Sequence, residues 1–213
     1  MSPSRINVLI ACEESQAETM AFRDLGFNAF SCDIKPARKG TPKEWHIIGD
    51  VRPYLNGRAW FITENGERHR LKKWHLIIAH PPCTYICKVG SVWMWNQGKL
   101  NQQRYTQMQK AVSFFYECLN ASAQFVAVEN PIPMKRAQLP RPTCYADPSW
   151  FGVKYTKKTL YWLRNLPPLM PTVINPDTKC FVRSSRGHYR SRTFPEMAKA
   201  IANQWGDYVL KNL

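Results

Sequence analysis

The chain has no apolar run approaching the length of a membrane span. Its longest, Val8 to Cys12 and Leu76 to Ala79, fall far short of the roughly 20 residues that a bilayer crossing takes, so no membrane-spanning segment is expected. A disulfide framework is lacking too. The seven cysteines are odd in number and irregularly spaced, which fits thiols used for packing or chemistry in a reducing compartment. Met1-Ser2-Pro3-Ser4-Arg5 passes straight into a strand-like stretch without the apolar core and cleavage site of a secretory signal, so an intracellular protein is expected. Acidic residues are scarce: 15 Asp and Glu against 30 Lys and Arg leave a formal net charge of +15. That surplus suits a polyanionic partner bound through counterion release, nucleic acid first, although excess basic residues also simply keep a protein soluble. With no internal repeat and no low-complexity segment, the 213 residues read as one domain, 1–213, with modest insertions.

What is present alternates between two periodicities. Apolar, β-branched runs at Ile6 to Cys12, Phe27 to Ile34, His46 to Val51, Trp74 to Ala79, Gln124 to Val128 and Thr159 to Leu163 read as strands. Helical spacing appears over Ala17 to Leu25, stopped by Gly26, and over Gln102 to Leu119, with Met108, Ala111, Val112, Phe115 and Leu119 on one face. A last helix is expected after Thr193 as N-cap, with Pro195 in its first turn and Glu196 completing a capping box; its Met197, Ile201, Trp205 and Tyr208 face should pack on the sheet. Asn65-Gly66 between Trp60-Phe61-Ile62 and Arg68-His69-Arg70 predicts an inserted basic hairpin within 53–73. Residues 131–148 and 165–189 read as Pro-rich, basic and irregular. The alternation predicts an α/β fold with a mostly parallel sheet flanked by helices, whose ligands bind beyond the carboxyl ends of the strands.

Two motifs fall at such ends. Trp74 to Ala79 runs into His80-Pro81-Pro82-Cys83, and Gln124 to Val128 into Glu129-Asn130. Two prolines stiffen the approach to Cys83, as a positioned nucleophile requires, but an ordinary turn with a packed cysteine has the same sequence. His80, Cys83 and Cys87 lie close together, yet Cys-x-x-x-Cys without a preceding His-x-Glu is not the spacing of a zinc deaminase. No metal site is expected, and Cys87, Cys118, Cys144 and Cys180 are taken as packing residues.

The ordered series of motifs resembles the C5-cytosine DNA methyltransferase family, in particular its short phage and prophage members without a full target recognition domain. Pro81-Pro82-Cys83 is similar to the nucleophile motif, with Thr84 in place of Gln, and Glu129-Asn130 to the Glu-Asn-Val motif, with Pro131 in place of Val. The resemblance implies a Rossmann-like S-adenosylmethionine-dependent methyltransferase fold and a flipped-out cytosine in duplex DNA. A Cys83 thiolate would add at C6 and Glu129 would hold the N3 edge, with Lys157 as the third catalytic residue. For S-adenosylmethionine it implies Ala11, Cys12, Glu13, Glu14, Ser15, Asp33, Ile34, Asp50, Val51 and Pro81, with Asp33 on the ribose hydroxyls and Asp50 on the adenine amine. Pro82, Thr84, Asn130, Arg136, Arg190 and Arg192 are its substrate contacts, and Lys135, Arg141, Arg183 and Arg186 join the expected phosphate grip. A cytoplasmic location in a bacterial or phage-infected cell follows.

The chain departs from the family in two further places. The glycine-rich cofactor loop is replaced by Ala11-Cys12-Glu13-Glu14-Ser15, where Glu13 or Glu14 either meets the cofactor's amino group or caps the next helix, and Ser15 fits an N-cap. The target recognition domain is replaced by 165–189 and the Asn65-Gly66 hairpin, which predicts short or relaxed sequence specificity. Two alternatives stay open: the same chemistry on a free pyrimidine nucleotide or RNA, and a degenerate methyltransferase fold that only binds DNA.

Overall fold

The computed structural model describes residues 2–181 and 193–213. The chain runs β1 (Asn7–Ala11), α1 (Ala17–Asp24), β2 (Asn28–Asp33), β3 (His46–Ile48), α2 (Arg52–Leu55), β4 (Trp60–Ile62), β5 (Arg68–Arg70) and β6 (Leu76–Ala79). It continues through β7 (Trp95–Asn96), β8 (Lys99–Leu100), α3 (Gln102–Leu119), β9 (Phe125–Asn130), β10 (Cys144–Ala146), β11 (Tyr155–Thr156), β12 (Thr159–Arg164), β13 (Lys179–Cys180) and α4 (Pro195–Lys211). Seven strands form the main sheet in the order β10-β12-β9-β6-β1-β2-β3. The five from β9 to β3 are parallel, and β12 is antiparallel to both its neighbours. This is the expected mostly parallel α/β fold of Rossmann-like type. Strand order reverses between β1 and β6, which opens a crevice beyond their carboxyl ends.

Successive residues of a strand face opposite sides, and the sheet uses this to build two cores. Val8 and Ile10, Leu76 and Ile78, and Phe125 and Ala127 pack with Phe22 of α1 and with Met197, Ile201 and Trp205 of α4. Leu9 and Ala11, Ile77 and Ala79, and Val126 and Val128 pack with Met108, Phe115 and Cys118 of α3 and with Phe61 of the hairpin. Each large apolar side chain so buried contributes about 1.5–3 kcal/mol relative to exposure. At Gly206 of α4 an added Cβ would lie 2.9 Å from the Phe27 ring, so only glycine permits that approach.

The β4–β5 pairing sets Trp60 opposite Arg70 and Ile62 opposite Arg68, which is the inserted hairpin expected within 53–73. Phe61 turns inward and stacks on both His69 and Trp74. Three local expectations differ. Ser15 is not the N-cap of α1: Gln16 holds that position in left-handed conformation, and the Glu13 carboxylate caps the helix from three residues further back, accepting the Glu18 and Thr19 N–H groups. Thr193 does not cap α4, which Phe194 precedes with Pro195 in the first turn; the Thr193 hydroxyl instead donates to Glu18 at 3.3 Å. Within 131–148, read as loop, Cys144–Ala146 forms β10, because pairing with β12 supplies what three residues of mixed propensity do not. Of the irregular segment 165–189, residues 182–189 lie outside the described residues. So do Arg190 and Arg192. No described helix is long and apolar enough to cross a membrane.

Candidate active site

Because β12 runs antiparallel to β9, its first residues lie at the same edge as the carboxyl ends of β1, β2, β3, β6 and β9. Leu160 pairs with Asn130 and Tyr161 with Glu129, so Lys157 is brought beside a motif 28 positions earlier. The loops that follow β6 and β9 are tied to one another. Lys88 N–H donates to the Ile132 carbonyl at 2.8 Å, Met134 N–H to the Ile86 carbonyl at 2.7 Å, and the Asn130 side chain to the Pro81 carbonyl at 3.3 Å. These bonds hold the Cys83 loop against the Glu129 strand end.

His80 links the strands below that loop. Its Nδ1 lies 3.2 Å from Glu129 Oε2 and its Nε2 3.2 Å from Glu18 Oε1. The Nδ1 contact is a hydrogen bond, whereas Nε2 lacks hydrogen-bond geometry and meets Glu18 by ion-pair proximity alone. Burial opposes the charge, but Glu18 and Glu129 outweigh it and raise the His80 pKa well above 6.5. Burial likewise opposes ionisation of Glu129, and the His80 hydrogen bond and charge, with Lys157, more than offset it, holding the carboxyl below its usual range. Glu18 is fully buried on α1, and its Oε2 makes no hydrogen bond among the described residues. Glu13 sits behind it, its pKa raised to about 7 by burial and by the charge of Glu18. The result is a buried carboxylate, imidazolium, carboxylate row spanning α1, β6 and β9.

Cys83 is half-buried at the crevice. One helical turn on, Cys87 N–H donates to the Cys83 carbonyl at 2.9 Å, and the two sulfurs hydrogen-bond. The pair is unequal. Cys87 Sγ accepts a hydrogen bond from the Cys83 thiol and others from the Val89 and Gly90 N–H groups, which brings its pKa down to about 6. Cys83 is pushed well above the usual thiol range by that same hydrogen bond, by burial and by the Glu129 charge. Gly90 is required here: an added Cβ would lie 2.8 Å from the Thr84 carbonyl oxygen.

Across the crevice, β1 leads into Cys12, which adopts φ 62, a left-handed conformation that glycine takes without strain. Cys12 and Glu13 N–H both meet the Cys32 carbonyl, at 2.7 and 3.3 Å, folding the turn back onto β2. The side chain of Glu13 is spent on α1, whereas Glu14 is partly exposed and pairs with Arg38 at 3.3 Å. Asp33, at the end of β2, accepts the Lys35 N–H through Oδ1 at 2.9 Å and keeps Oδ2 without a hydrogen bond among the described residues. Asp50, after β3, is engaged through both oxygens by Arg52, each at 3.0 Å. Ile34 is exposed, while Ala11, Val51 and Pro81 are buried. Partly exposed acids beside a positive-φ turn suit a polar, hydroxyl-bearing ligand carrying positive charge.

On the substrate side, Pro82 and Thr84 are exposed at the rim, and Asn130 is fully buried with its Oδ1 making no hydrogen bond among the described residues. Arg136 is exposed and lies over the Trp95 ring at 5.3 Å; Lys135 and Arg141 are exposed nearby. A small cleft between β9, β12 and α4 is lined by Glu129, Lys157, Thr159, Tyr161, Thr193 and Phe194. Among the described residues, no three His, Cys, Asp or Glu side chains converge in a group fit to hold a metal ion. Sequence reasoning passed over Glu18, whose place in the first turn of a helix reads as simple dipole complementation. It also took Cys87 for packing; the i, i+4 spacing from Cys83 was the available signal.

No family model and no curated protein matches the chain. Among solved structures it is similar to a candidate DNA modification methyltransferase encoded within an Escherichia coli prophage, at 16% identity and a TM-score of 0.45, over 81% of this chain and 53% of that one. The chain thus spans about half the length of that relative, and the functional reading rests on its own residues.

Proposed function

We propose that the chain is a DNA cytosine-C5 methyltransferase that takes its methyl group from S-adenosylmethionine and acts on a cytosine flipped out of the duplex. The observation that carries this reading is the joining of the Cys83 loop to the Glu129 strand end at the switch point of the sheet, with His80 fixing the glutamate as a carboxylate. Cytosine C5 is a weak nucleophile until a thiolate adds at C6. Cys83 is the adding group. The half-buried Cys83 sulfur bonds to C6 as its proton passes to Cys87, one helical turn on, so that the thiolate forms only as it is consumed.

Glu129 faces the N3 and exocyclic amine edge of the base, and the hydrogen-bonded His80 imidazolium behind it supplies the proton store that lets this edge draw off negative charge. Lys157 adds positive charge on the same side. Asp33 would hold the ribose hydroxyls of the cofactor, Asp50, once released in part from Arg52, its adenine amine, and the Cys12 to Ser15 turn its methionine end. When bound, S-adenosylmethionine supplies the electrophilic methyl carbon.

Incubation with labelled S-adenosylmethionine and cytosine-containing duplex DNA, followed by nucleoside analysis, should yield 5-methylcytosine. Label appearing only in RNA or in a free pyrimidine nucleotide would replace the substrate, and binding to DNA with no transfer to any of the three would leave a DNA-binding protein.

A further inference from the structure

Directly after the nucleophile loop, a 3-10 helix (Lys88–Met94) and the β7–β8 ribbon turn apolar side chains to solvent. Val89 is 67% exposed, Val92 69%, Trp93 67% and Trp95 50%, and Ile132 beside them 46%. Large apolar groups crowded into seven consecutive residues carry a hydration cost that a free surface does not relieve. Their backbone is nonetheless firmly built. Met94 and Ile86 are buried beneath it. The Arg104 guanidinium bridges the Thr84 and Gly90 carbonyls at 2.8 and 3.1 Å, and Asn101 N–H donates to the Met94 carbonyl at 2.9 Å. The exposed face is therefore held in place beside Cys83.

Its charge names the occupant. Between Glu67 and Glu117 the sequence has no Asp or Glu, and Lys88, Lys99 and Arg136 frame the apolar residues. A second copy of a chain carrying +15 would meet like charge there, whereas a polyanion would be neutralised. Flat aromatic rings between cations match a nucleic-acid strand, whose bases stack while its phosphates pair. We propose that residues 88–100 are the platform on which the nucleic-acid strand lies beside the reacting base, Trp93 and Trp95 stacking on the base faces that flipping of the cytosine uncovers. This rests on the functional reading above and extends it: the platform is a reason for the enzyme to act on a polymer, since a free nucleotide does not reach it.

The test is binding of the full-length protein to a fluorescein-labelled, cytosine-containing duplex oligonucleotide across a salt series. The Trp93→Ala/Trp95→Ala variant should bind about 100-fold more weakly, roughly tenfold per ring, at every salt concentration. The slope of log K against log salt should stay unchanged, because no phosphate contact is lost. Lys88→Ser/Lys99→Ser should instead make that slope shallower by about 2. Trp93→Phe/Trp95→Phe should retain most of the affinity, and an unaltered thermal midpoint separates lost contact from lost fold. Undiminished binding by the alanine variant, with wild-type binding and methyl transfer intact, overturns the platform alone. So does unchanged DNA affinity accompanied by conversion of a dimer to a monomer or by loss of binding to phosphatidylserine vesicles. Wild-type protein that binds no nucleic acid overturns both the platform and the functional reading.

Discussion

At the ends of β2 and β3 the acids lie at or near the surface and are paired within a short stretch of chain: Asp33 takes an N–H two residues on, and Asp50 takes Arg52. At the ends of β6 and β9 the polar groups are buried and paired across the fold, Glu18 to His80 to Glu129. The first arrangement is cheap to rearrange, because surface ion pairs contribute at most about 1 kcal/mol. The second is not, because a buried charge that loses its partner costs about 3–5 kcal/mol. Under the proposed function, the side that would admit and release a cofactor is thus the adaptable one, and the side that would set the reacting geometry is the rigid one.

The largest effect expected on the rigid side is at Cys83. Cys83→Ser should lower methyl transfer by about 10⁴-fold or more and form no stable adduct with 5-fluorocytosine DNA. An adduct that survives in denaturing electrophoresis of this variant places the nucleophile elsewhere.

Next comes the buried row. Glu18→Gln should lower stability to urea by about 3 kcal/mol, whereas Asp50→Asn should stay within about 1 kcal/mol; equal effects would erase the contrast. Its pH dependence has two limbs. The His80 pKa is raised above 6.5, so its contribution is full below that value and fades as pH rises through the higher folded pKa. The Glu129 pKa is lowered from 4.5, so its contribution is present above that value and is lost as pH falls through the lower folded pKa. The stability difference between wild type and Glu18→Gln should therefore be widest between these limbs and shrink toward alkaline pH, as read from urea midpoints.

Cys87 sharpens the comparison within the rigid side. Its pKa near 6 predicts that adduct formation falls as pH drops below that value, because a protonated Cys87 no longer accepts the Cys83 proton. Cys87→Ala should shift this acid limb upward and slow adduct formation at neutral pH by about 100-fold. An unchanged limb would assign Cys87 to packing after all.

The smallest effect belongs to the adaptable side. Asp33→Asn should weaken S-adenosylmethionine binding by roughly tenfold, in keeping with loss of a charge-assisted hydrogen bond, and leave the urea midpoint unchanged. A fall in stability without a change in calorimetric affinity would give Asp33 a structural role only.

The strands and α3 were legible because burial imposes a period on the sequence, and Gln102 to Leu119 was read with its observed bounds. Cys83 and Glu129 were legible because they stand where apolar runs stop. Ser15 and Thr193 misled for different reasons: the neighbouring Glu13 takes the α1 N–H groups that Ser15 would cap, whereas tertiary contact turns the Thr193 hydroxyl to Glu18. β10 escaped notice because its strand character comes from β12 rather than from Cys144-Tyr145-Ala146.

By itself the sequence determined the alternation of strand and helix, the positive charge, and the placing of Cys83 and Glu129 as candidates at strand ends, since periodicity, charge and motif spacing are properties of the chain. Only the tertiary structure decided which groups share a proton. His80 received its two carboxylates, Cys87 its backbone donors and Glu129 its cation from segments far apart or differently bent, and low dielectric at their meeting place gives those pairings their strength.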